Sequence, residues 1–70
     1  MTTKVKNLTQ GLLDEMDRVK KIKAEYDKIP SGKFAAAFME ADLEAAKQAV
    51  GEDDAIAMIR CYEKLKEYQL

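Results

Sequence analysis

Apolar side chains recur along this chain at helical spacing, in three blocks separated by two short polar breaks. In the first block, Val5, Leu8, Leu12, Val19, Ile22, Tyr26 and Ile29 follow a heptad, with a positions at 5, 12, 19 and 26 and d positions at 8, 15, 22 and 29. One d position is polar: Glu15, flanked by Leu13 and Met16. This pattern predicts a coiled-coil or bundle helix reaching to about Lys28, preceded by a polar, frayed stretch over residues 1–7. Asn7 and Gln10 have the spacing of a capping pair. Gly11 weakens the first turn by about 1 kcal/mol relative to alanine. Acid-first pairs four residues apart, Asp14 with Arg18 and Asp17 with Lys21, lace the polar face.

The second block, Phe34 to Val50, is apolar round most of its circumference when wound at about 100° per residue. Phe34, Phe38, Ala41, Ala45 and Ala49 make one seam. Met39, Leu43, Ala46 and Val50 make a second, and Glu40, Glu44 and Lys47 form the one clean polar strip. Such a helix is normally buried between neighbours, and its alanines allow close approach. It is therefore expected to be the central helix. Asp42 interrupts its apolar arc. A carboxylate there requires a donor (Arg60, a lysine or a tyrosine hydroxyl) or a place at the edge of the core. A structural ion pair is the plainer account of Asp42, and a functional role the alternative.

The breaks carry their own signals. In Ile29-Pro30-Ser31-Gly32, Pro30 drives Ile29 out of the helical region and Ser31 is the expected N-cap of the central helix. In Gly51-Glu52-Asp53-Asp54, Gly51 suits the left-handed position after a helix, and Asp53 or Asp54 the next cap. A third helix from about Asp54 to Tyr68 follows, with a stripe of Ala55, Met58, Ile59, Cys61, Tyr62, Leu65 and Tyr68. Ile56 lies on its polar side, as a contact for a partner or for the preceding loop. The class is thus all-α: one domain over residues 1–70, with a long first helix, a central apolar second and a third.

Seventy residues bury only about 60% of the surface of the unfolded chain, so the core is marginal and self-association is the expected supplement. The predicted assembly is a homodimeric helical bundle. Two arrangements are open for the first helix. It packs on the other two of its own chain, or it pairs antiparallel with its own copy. The second arrangement sets Arg18 against Glu25, Val19 against Ile22, Leu12 against Ile29 and Glu15 against Tyr26.

Net charge is −1, but unevenly placed: residues 1–33 carry eight Lys/Arg against five Asp/Glu, and residues 34–70 four against eight. The halves attract each other, within one chain or across a dimer. A nucleic-acid binder shows a stronger basic excess, so Arg18, Lys20, Lys21 and Lys23 are read first as a solvated face, with phosphate contact as the alternative. The lone Cys61 and the absence of histidine point to a reducing, cytoplasmic setting without disulfide, metal or cofactor. No apolar run spans a membrane, and the first residues have no signal-peptide core. Ser31-Gly32-Lys33 lacks the earlier glycine, the following hydroxyl and the strand of a phosphate loop. Glu52-Asp53-Asp54 lacks the spacing of a calcium loop. Cys61, on the buried stripe with no histidine beside it, is expected to be packing. No catalytic residue is assigned.

Two resemblances add to this. The stretch AAKQAVGEDDAIAMIRCYEKLKEY resembles the boundary between tetratricopeptide helices, a shared packing solution since one repeat alone makes no solenoid. The elements LLDEMDRVKKIKAEYDKIPSG, FAAAFME and GEDDAIAMIRCYEKLKEYQL are similar to small phage- and prophage-encoded proteins of no firmly assigned activity. That resemblance implies a bacterial host cell and an accessory protein that binds, and inhibits or redirects, a host protein. It brings no functional residues. The alternative function is nucleic-acid association through the lysines of the first helix.

Overall fold

A computed structural model of the chain describes residues 7–69; the expected fraying of residues 1–6 lies outside them. Three helices follow one another: α1 (Leu8–Asp27), α2 (Lys33–Gly51) and α3 (Ala55–Lys66), with one 3-10 turn, Pro30–Gly32, between the first two. Each helix packs against both others. The core is a single cluster built from all three: Leu12, Met16, Val19 and Ile22 of α1, Met39, Leu43, Ala46 and Ala49 of α2, and Met58 and Leu65 of α3.

Local signals fix the starts of α1 and α3. Asn7 is extended and its side chain accepts a hydrogen bond from the Gln10 amide at 2.7 Å. The Gln10 side chain does not reach back as in a capping box; it donates forward to Asp14 at 3.0 Å. Asp54 caps α3, accepting from the Ala57 amide at 3.1 Å. Ile29, held extended by Pro30, breaks the chain between α1 and α2.

Four expectations are corrected. Ser31 does not cap α2; that position falls to Gly32, without a side-chain cap, because the 3-10 turn runs straight into the helix. Gly32 is needed for proximity: a Cβ there would stand 2.6 Å from the Tyr26 carbonyl oxygen. Gly51 stays helical as the last residue of α2, and the left-handed residue is Asp53, at φ 53. Aspartate tolerates that region better than most residues with a Cβ. The third helix stops at Lys66, short of Tyr68.

The fourth correction concerns the strict heptad of α1. A straight helix repeats every 3.6 residues, so the stripe drifts and Met16, next to Glu15, takes the core position. Glu15 stands at the edge of the core. Within one copy α1 packs on its own α2 and α3: Leu12 and Val19 are wholly buried, and Ile22 nearly so.

Candidate functional site

The two apolar seams of α2 have different fates. The seam of Met39, Leu43 and Ala46, with Ala36 beside it, is buried against α1 and α3. The seam expected beside it in the core is bare: Phe34 is 83% and Phe38 66% exposed, and Ala41 and Ala45 are also exposed. Only Ala49 of that seam is covered. With three helices, α2 has two neighbours, and two neighbours cover one arc of a helix rather than its whole circumference. Across from the C-terminal half of this ridge, α3 leaves Ile56 and Ile59 at 65% and 50% exposed. Between α2 and α3 runs a mostly apolar groove of about 870 Å³, floored by Ala45, Ala49 and Ala57 and rimmed by Glu52, Arg60 and Glu63.

Asp42 lies where ridge and groove meet the polar end of the bundle. Its side chain is 18% exposed and held twice: the Tyr68 hydroxyl donates to Oδ2 at 2.6 Å, and Lys64 Nζ stands 3.5 Å from Oδ1. Both donors come from α3 or the residues just after it, and Arg60 is not among them. Burial first, then the hydrogen bond to Asp42 and the charges of Asp42 and Glu67, push the Tyr68 phenol up to about 12. Burial and the same carboxylate raise the Cys61 thiol, against an opposing pull from Lys64. Both groups stay protonated near neutral pH, so neither is a ready nucleophile.

The Arg18 guanidinium is directed at the C-terminal end of α3 in its own chain. Its Nη1 donates to the Tyr68 carbonyl at 2.7 Å and its Nη2 to the Leu65 carbonyl at 2.8 Å, while Nε donates to Glu15 at 3.0 Å. Arg18 thus caps the C-terminal end of α3, where the carbonyls carry partial negative charge; that of Leu65 also accepts from the Tyr68 amide at 3.2 Å. Glu15, half-buried, orients the cation. Tyr26 completes this end of the bundle with a long contact, 3.5 Å, from its hydroxyl to the Gln69 carbonyl. Glu25 is engaged on the surface by Lys28 at 3.3 Å. Sequence spacing could not reveal the Arg18 contact, because its acceptors are main-chain atoms nearly fifty residues away.

The basic face of α1 is partly occupied. Lys23 is 2.9 Å from Asp27 and 3.8 Å from Glu40, and these partners raise its pKa. With Arg18 committed to α3, Lys20 and Lys21 remain as the exposed cations of the proposed phosphate-binding face. Lys33 begins α2, exposed and after a helical turn, so Ser31-Gly32-Lys33 is a connector in form. Among the described residues no group of acidic or cysteine side chains could hold a metal ion, and no helix is long and apolar enough to cross a membrane.

No protein-family model, curated protein or solved structure matches the chain.

Proposed function

We propose that this is a non-enzymatic accessory protein that acts by protein–protein contact, of the phage or prophage type its sequence resembles, and that it works as a homodimer in a bacterial cytoplasm. A host protein, inhibited or redirected, is its target. The observation that supports this reading is the bare apolar surface on α2 and α3. Four large hydrophobic side chains, Phe34, Phe38, Ile56 and Ile59, stand at least half exposed along two adjacent helices. Isolated exposed hydrophobes are ordinary, but here Ile56 and Ile59 line the α2–α3 groove and Phe34 and Phe38 share the α2 ridge whose Ala45 lines it too, which supports an interaction surface. Asp42 serves this surface as a structural residue, tying the end of α3 to α2.

The test is capture from bacterial lysate on immobilised protein, comparing the natural chain with Ile56→Glu and with a nuclease-treated lysate. A specific protein retained after nuclease treatment and lost with Ile56→Glu is the expected result. Capture that disappears with nuclease or falls steeply with salt would transfer the function to nucleic acid, through Lys20 and Lys21.

A further inference from the structure

The phenylalanine ridge of α2 is built unequally. Its N-terminal half is bulky, with Phe34 and Phe38; its C-terminal half is small, with Ala41 and Ala45. All four are exposed. If a second copy of α2 lies antiparallel on this ridge, Phe34 of one copy faces Ala45 of the other and Phe38 faces Ala41, each contact occurring twice by symmetry. Large side chains then fall on small ones along the whole seam, and the alanines let the two backbones close up. A parallel pairing would crowd phenylalanine on phenylalanine and leave alanine facing alanine across a gap.

The charges agree with the same direction. The end of the ridge beside Phe34 is basic, with Lys28 and Lys33 exposed; the end beyond Ala45 is acidic, with Glu52, Asp53 and Asp54 exposed. Antiparallel pairing brings each basic end to an acidic end. Glu40, Glu44 and Lys47 line a separate groove between α1 and α2, with Glu40 turned towards Lys23, so none of the three stands on the seam.

We infer that the exposed ridge of α2 is the homodimer interface of this protein, occupied by the α2 ridge of a second copy in antiparallel orientation. The interface is isologous and closed by a two-fold axis between Phe38 and Ala41, so it yields a dimer and not a filament. Ala45 belongs to both the ridge and the α2–α3 groove, so Phe34 of the second copy lies along the open side of that groove. This deepens the reading of the apolar surface as a protein interface by assigning half of it to self-contact.

Light scattering on the purified chain at tens of micromolar reads the mass directly. A dimer is expected for the natural chain and a monomer for Phe38→Glu, with helical circular dichroism unchanged because Phe38 touches little of its own chain. Lys33→Glu should weaken the dimer severalfold, because it puts an acid at the basic end that meets Glu52, Asp53 and Asp54 of the second copy. In a Cys61→Ser background, mixed chains carrying Phe34→Cys or Ala45→Cys should cross-link as the 34–45 pair. A monomeric natural chain, a dimer that survives Phe38→Glu, or dominant 34–34 cross-links would each overturn the inference. Because these measurements involve no host protein, their failure is distinguishable from failure of the host-binding role, which the capture experiment with Ile56→Glu tests separately.

Discussion

The inner and outer seams of α2 share one helix, one propensity and nearly one hydrophobicity, yet Met39 is 1% exposed and Phe38, one residue away, 66%. The two bulkiest apolar residues of the helix are both on the outside. A chain optimised to stand alone would place its largest hydrophobes inside and alanine outside. Periodicity records which residues avoid water; it does not record whether the cover comes from the same chain. The contrast between the seams therefore separates what folds the protein from what its own chain leaves uncovered.

The sharpest way to break that contrast is by stability. Met39→Ala should cost about 2–5 kcal/mol in urea unfolding, through lost transfer energy and the cavity left behind. Phe38→Ala, measured at a concentration where the chain is monomeric, should change stability by less than about 0.5 kcal/mol, as surface substitutions do. Comparable losses for the two would mean that the outer seam is part of the core.

A second difference lies between the ends of the bundle. At the end holding Arg18, two charge-assisted hydrogen bonds secure α3; the ridge has no polar clamp of this kind among the described residues. Arg18→Ala should destabilise by about 1.5–3 kcal/mol, and Arg18→Lys should recover only part, since an ammonium cannot span both carbonyls as the planar fork does. Equal stability of Arg18→Ala and the natural chain would reduce this cap to a surface contact.

The same end should be sensitive to alkali. The folded chain holds the Tyr68 proton more tightly than the unfolded chain, whose phenol titrates near 10.0. The resulting stability is complete below that pH and is lost as pH rises towards about 12. After allowance for partial exposure, the difference between the natural chain and Tyr68→Phe across this window should be about 1–2 kcal/mol. Parallel alkaline curves for the two would remove Tyr68 from the account.

The smallest effect is expected at Asp42, between the seams. Asp42→Leu should cost no more than about 1 kcal/mol, because the Tyr68 hydroxyl loses its acceptor while the carboxylate no longer has to be dehydrated. Unfolding of this variant, followed by circular dichroism, would show that the carboxylate is required by the fold.

The starts of α1 and α3 and the break between α1 and α2 are legible in the sequence because their signals are local: Asn7, Asp54 and Pro30 each act within four residues of themselves. The three-helix architecture follows from them. The burial of one α2 seam and exposure of the other is not legible, since it depends on how many neighbours a short chain can supply. Arg18 escapes for a related reason: rules for charge pairs see side chains at fixed spacing, whereas its best acceptors are carbonyls exposed by the end of another helix. The step from Gly51 to Asp53 for the left-handed residue reflects two more residues of chain in the turn than a glycine-ended helix needs. Of the candidate surface, Ile56 is identifiable from its place on the polar side of α3; Phe34 and Phe38 are assigned to the core by the same apolarity that makes them conspicuous on the surface.

Cys61 gives the α2–α3 seam a built-in clock. Its thiol is held protonated by burial and by Asp42 across the groove, and only the thiolate reacts with alkylating reagents. When α3 swings away from α2, both restraints vanish together. The rate of alkylation at fixed pH therefore rises with any loosening of the α2–α3 seam, with no label added to the chain, and an occupant that seals the groove lowers it.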